Sequence, residues 1–140
     1  MKKSQALDYS LLLAPVTAAT TVRSVAFDCT GADYATILVT LGAELNTNST
    51  NVTLQLAEGD TSTGTWTTFN ASYNQVIDNT AGKIVAYHVD LNGVRKSHIR
   101  LTITPDTTTN GPVISSAVGV LDLEFSNSAN SNNADIVVVG

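Results

Sequence analysis

A single cysteine, Cys29, occurs in 140 residues, which excludes an intrachain disulfide and the stapled frameworks that small secreted domains often lean on. Charge is scarce too: Asp, Glu, Lys and Arg make up 14% of the chain, against about 25% in an ordinary soluble domain. Cations are the scarcer sign, seven against twelve acids, for a net charge of −5. Nucleic-acid binding depends on Lys and Arg neutralising phosphates, so this balance argues against nucleic acid as a partner. An anionic membrane surface is disfavoured by the same reasoning. No apolar run approaches the roughly 18 residues of a membrane-spanning helix. Met1-Lys2-Lys3 ahead of Leu11-Leu12-Leu13 has the outline of a signal peptide, but Asp8 and Ser10 cut the apolar stretch too short. Sequons begin at Asn48, Asn51 and Asn70 in a composition that makes them by chance. There is no internal repeat and no helical period of useful length.

What is abundant is Thr, Ser and Asn, roughly a third of the residues, whose side chains bond nearby backbone and work against helix interiors. With 43% hydrophobic residues the chain can bury an ordinary core as one domain. Period-two alternation supplies the strands. Val22 to Cys29 places Val25, Phe27 and Cys29 on one face and Ser24, Ala26 and Asp28 on the other. Tyr34 to Leu41 is apolar on both faces in its middle and reads as a central strand. Val52, Leu54 and Leu56 point inward, then a turn over Gly59 to Gly64 leads into a hairpin partner at Trp66 to Phe69. Gln75 to Ile77 is a short strand, followed by a turn over Asp78 to Gly82. Ile84 to Leu91 sends Val85, Tyr87 and Val89 inward. The Asn92-Gly93 turn follows, and His98 to Thr104 then sends Ile99, Leu101 and Ile103 to the core. Beyond the loop Pro105 to Pro112, a last core strand runs from Val113 to Phe125 with Leu121, Leu123 and Phe125 inward.

These runs predict seven or eight strands in two packed antiparallel sheets, an all-β sandwich of jelly-roll type. The expected organisation is an extended N-terminal arm at 1–20, a sandwich domain at 21–125 and a tail at 126–140. The tail begins with a polar Ser/Asn/Ala linker, too polar to order itself, and ends in Ile136, Val137, Val138 and Val139. Burying those four side chains contributes roughly 6–12 kcal/mol, against about 4–8 kcal/mol to order their backbone. The cluster therefore holds only where it is well buried or adds a strand. It either docks on the chain's own sandwich or is donated to a neighbouring subunit.

No constellation of side chains looks catalytic, and neither an enzyme nor a cofactor is expected. His88 and His98 are expected on neighbouring strands, without the Cys or Glu that a zinc site would need. Cys29 alternates with Phe27 and reads as a buried small hydrophobe. Glu58 with Asp60, and Asp122 with Glu124, read as solubilising charges. They lack calcium-loop spacing and do not read as the facing pair of a glycosidase. Arg95, Lys96 and Arg100 form the densest basic cluster, too small for nucleic acid but able to steer docking to an acidic protein surface. Trp66 and Tyr73 near one hairpin could stack a sugar. Val52 to Glu58 and Ile84 to Val89 carry no Lys or Arg, so either one, as a sheet edge, would need a neighbour to cover it. An oligomer with threefold or twofold closure is expected.

Val52 to Phe69 (VTLQLAEGDTSTGTWTTF) and Tyr87 to Thr104 (YHVDLNGVRKSHIRLTIT) resemble segments of small β-sandwich capsid decoration, or cement, proteins of tailed bacteriophages. Phe27 to Val39 is compatible with their opening strands. The resemblance covers about half the chain and rests on strand and turn patterns. It implies a non-enzymatic virion protein, often trimeric, on the outer surface of the capsid. Such a protein would bind neighbouring major capsid subunits, and it would be made in the host cytoplasm. The interface candidates under that reading are Leu11, Leu12 and Leu13 of the arm, Arg95, Lys96 and Arg100, and Ile136 to Val139. A tail or head–tail connector component is the rival within virions. A carbohydrate-binding module is the rival from another class.

Overall fold

The computed structural model describes residues 8–43, 51–78, 81–92, 95–105, 113–122 and 136–139. Two sheets stack face to face. One, sheet A, has the strand order β1 (Asp8–Ala18), β10 (Val113–Asp122), β4 (Tyr34–Leu41), β8 (Lys83–Asp90), β11 (Ile136–Val139). In the other, sheet B, β9 (His98–Pro105) and β5 (Asn51–Gly59) form the middle. Two short strands, β2 (Val22–Arg23) and β3 (Phe27–Asp28), flank β9. Two others, β6 (Trp66–Thr68) and β7 (Gln75–Asp78), flank β5. Counting each flanking pair as one interrupted strand leaves eight positions ahead of β11. They pair first with last inward: β1 with β10, β2/β3 with β9, β4 with β8, and β5 with β6/β7. That nesting is the jelly roll.

The inner faces follow the alternation. Ile37, Val39, Leu54, Val85, Tyr87, Leu101 and Ile103 have no exposed surface. Each such aliphatic side chain contributes about 1.5–3 kcal/mol by leaving water. Gly119 of β10 lies on an inner row between Ser10 and Ile37. A Cβ there would come within 2.6 Å of the Phe27 ring, so the glycine makes the slot that Phe27 fills.

Four expectations are corrected. First, the segment expected as an arm is, from Asp8, an eleven-residue strand paired with β10 over nearly its whole length. Its period is hard to read because the register slips twice, between Leu11 and Leu13 and between Leu13 and Val16. Pro15, with no N–H to give, sits inside the second slip.

Second, Val22 to Cys29 is not one strand. The Ser24 hydroxyl accepts the Leu101 N–H at 3.0 Å, standing in for a ladder carbonyl, and donates to the Val25 carbonyl at 2.8 Å. The chain breaks there. Val25 turns its N–H to the Leu12 carbonyl in the opposite sheet at 3.0 Å, and its side chain is 61% exposed rather than inward.

Third, β8 and β9 lie in different sheets, so His88 and His98 are not neighbours. Fourth, neither β5 nor β8 is an edge: β5 lies between β9 and β6/β7, and β8 between β4 and β11. The apolar C-terminus pairs in parallel with the chain's own β8, Val138 opposite Tyr87, and Val138 is buried. Leu123, Phe125, Gly93, the linker 126–135 and most of the expected loops at 42–51 and 105–112 fall outside the described residues.

Filling the Phe27 slot tests this packing. Gly119→Ala is expected to lower unfolding stability by about 1–3 kcal/mol in urea titration, as overpacking does. Adding Phe27→Leu should recover part of that loss, so that the double variant falls short of the sum.

Candidate interaction surfaces

Because paired residues share a face, the register also fixes what sheet A shows to its outside. One row crosses four strands, Leu11, Val118, Leu38 and Ala86, and its register continues to Val137 of β11. The row on one side is Tyr9, Val120, Thr36 and His88; the row on the other holds Ser116, Thr40 and Ile84. None of these residues is Asp, Glu, Lys or Arg. Leu11 is 63% exposed, Leu38 and Val118 are each more than a third exposed, and Ala86 at the β8 end of the row is buried. The outer face of an antiparallel sheet normally carries the polar half of the alternation. Among the described residues the middle of that face is uncharged and largely apolar, and charge returns at the row of Tyr34 and Asp90.

The β1 edge adjoins this face. Pro15 and the two register slips guard its second half, in the way exposed edges are usually blunted. Asp8 to Leu11 pairs regularly with β10 and carries neither slip nor cation. Beside it opens a groove of about 610 Å³ lined by Asp8, Leu11, Val25, Asp28 and Leu121 among others. Of the three arm candidates, Leu11 is exposed there, Leu12 is core, and Leu13 packs partly buried against the core.

The basic candidates separate. Arg95 caps one end of the core, its guanidinium 4.7 Å from the centre of the Phe69 ring and 3.8 Å from Glu58. Lys96 reaches Asp60 at 3.3 Å, its N–H donates to Glu58, and the Ser97 hydroxyl donates to the Asp60 carbonyl. This is a clasp between the end of β5 and the connection into β9. The acid pair read as solubilising is therefore engaged. Arg100 points elsewhere, onto the outer face of sheet B, with its guanidinium 4.3 Å from the centre of the Trp66 ring. Its diagonal neighbour is Arg23, opposite Thr102, a residue the sequence pattern does not single out because only the β2–β9 pairing brings the two together. Tyr73 is fully buried, edge-on to Phe69, and forms no surface platform with Trp66.

Burial and hydrogen bonding shift some of the remaining titratable groups. The Cys29 thiol is pushed up to about 12 by burial and then by the Asp28 charge. Asp28 is held low first by the Thr30 hydroxyl, which donates to it at 2.6 Å. Burial lowers His88, whose ring nitrogen shares a hydrogen bond with the Thr36 hydroxyl at 3.0 Å. Among the described residues no three His, Cys, Asp or Glu side chains converge as metal ligands, and no helix is long and apolar enough to cross a membrane.

No family model and no curated protein matches the chain. Solved structures do. The PBSX exported protein XepA aligns at a TM-score of 0.52 and 16% identity over 86% of this chain, which spans 39% of that protein's length. Looser matches, both at a TM-score of 0.47, are Broad Bean Stain Virus and a carbohydrate-binding module specific for non-crystalline cellulose. The virus is 12% identical over 85% of this chain and 88% of its own. The module is 10% identical over 87% and 88%. At such an identity what XepA and this chain share is the fold, a two-sheet β-sandwich.

Two measurements check the titrations. The folded His88 ring favours its neutral form, so its pKa lies below the ordinary 6.5 and the unfolded chain binds more protons just below that value. Stability is therefore expected to fall as pH drops from about 7 to 5, a window above that of ordinary carboxylates. That slope should vanish in His88→Gln. Cys29 should resist a thiol reagent at pH 8 in native protein and react at once in denaturant, because the thiolate is the reacting form.

Proposed function

We propose that this chain is a non-enzymatic structural protein of a virion, a head decoration or cement protein. In this reading it sits on the outer capsid surface and binds and stabilises neighbouring major capsid subunits. The observation that carries the reading is the uncharged outer face of sheet A. Exposed apolar side chains grouped on one face, here Leu11, Val118, Leu38 and Ile84, are costly to leave in water and are characteristic of a surface that meets another protein. An isologous or ring contact between copies suits the uncharged middle of that face, since nothing there repels its own image. A homotrimer is the assembly we favour, with the β1 edge at Asp8 to Leu11 open to strand addition. Around a shell, many modest contacts of this kind add through avidity. The sequence resemblance of Val52 to Phe69 and Tyr87 to Thr104 to phage decoration proteins points the same way, and XepA shares the sandwich.

Purification of the particle that carries this chain, with copies counted by quantitative mass spectrometry, tests the reading. Hundreds of copies per particle are expected. Six or twelve would instead indicate a connector or tail component. Glycan-array binding that disappears in Trp66→Ala would replace the virion reading with a carbohydrate-binding module.

A further inference from the structure

The outer face of sheet B differs in kind from that of sheet A. Its rows place Arg23 beside Thr102 and Gln55, and Arg100 beside Ala57 and Thr68. The two arginines are thus diagonal neighbours across β2 and β9. Cα atoms so related stand roughly 7–8 Å apart, within reach of long side chains. Arg100 is held in position by the Trp66 ring under its guanidinium. Trp66 in turn lies close over Gly59, where a Cβ would meet the ring at 3.2 Å. Burial lowers the Arg100 pKa and the Arg23 charge lowers it further, so the two cations feel one another.

That no carboxylate among the described residues pairs with either is the informative point. Arg95 and Lys96 are each paired with an acid. Among the described residues no carboxylate pairs with Arg23 or Arg100, and the Arg100 Nε is buried with no hydrogen-bond partner. A chain with net charge −5 and only seven cations has acids to spare. It nevertheless holds two guanidiniums together on one face. Like charges repel in the free protein, and an anion between them turns the repulsion into two charge-assisted hydrogen bonds.

We propose that Arg23 and Arg100 bind the carboxylates of an acidic protein segment lying across β9 over Thr102 and Gln55. The hydroxyl and amide there offer hydrogen bonds to the segment's backbone. The occupant is a peptide rather than an acidic sugar because Arg100 already covers the Trp66 ring on which a pyranose would stack. This inference is independent of what sheet A meets, so either can fail alone.

The test is fluorescence-anisotropy titration of the full chain with a labelled hexaglutamate peptide at low ionic strength, with polygalacturonate as a second arm. Saturable peptide binding is expected, weakening about tenfold in Arg23→Gln and in Arg100→Gln and falling with added salt. Lys83→Gln, at the start of β8 in the other sheet, should leave it within about twofold. Arg23→Gln should melt no lower than the parent, since it removes a repulsion. That variant keeps the test decisive if Arg100→Gln loosens the Trp66 packing. Peptide binding that is absent, or unchanged in Arg23→Gln, would overturn the proposal. So would arginine-dependent binding of polygalacturonate without binding of the peptide.

Discussion

Cross-strand register in sheet A is the constraint on which the rest of the molecule depends. Each pairing of β1, β10, β4 and β8 decides at once which residues enter the core and which form the outer rows, because side chains alternate strictly along a strand. In most antiparallel sheets a slip of one residue is punished by moving apolar side chains into water. Sheet A has less of that protection, since Leu38 and Val118 are apolar on the wrong side. Register is held by shape as well: Gly119 receives Phe27, and the break at Ser24 ties β9 of one sheet to β1 of the other through Leu101 and Leu12.

Much of this was legible in the sequence where strands run regularly. The inward sets Val52, Leu54, Leu56, then Val85, Tyr87, Val89, then Ile99, Leu101, Ile103 are all buried, because alternation over a half-buried strand is a local property. What could not be read was non-local or irregular. The β1 strand looked like an arm because two slips and Pro15 erase its period. Strict alternation puts Val25 on the wrong face because one serine hydroxyl replaces a backbone acceptor. Succession in the chain suggests neighbouring strands for the two histidines, although the connection after Asp90 crosses from one sheet to the other. Arg100 was visible as part of a basic cluster, yet its real neighbour, Arg23, is remote in the chain and adjacent only through strand pairing.

Two unlike faces follow from this arrangement. Among the described residues, sheet A presents an uncharged apolar band beside a β1 edge that no strand pairs, whereas sheet B presents two guanidiniums without a carboxylate partner over a polar surface. Between them Glu58 and Asp60 clasp Arg95 and Lys96 at the end of the sandwich. On the proposed function and the inference beside it, a chain with so few charges keeps one side for apolar contact and the other for anionic contact. That division suits a protein held between partners.

The central claim is that the outer face of sheet A is covered by other polypeptides. Light scattering on the purified chain at micromolar concentration, beside a Leu38→Glu variant, tests it most directly. The account predicts a mass that is a multiple of the 14.7 kDa chain, falling to a single chain in the variant with thermal stability little changed. A monomeric parent chain, or an assembly indifferent to a charge at Leu38, would contradict it.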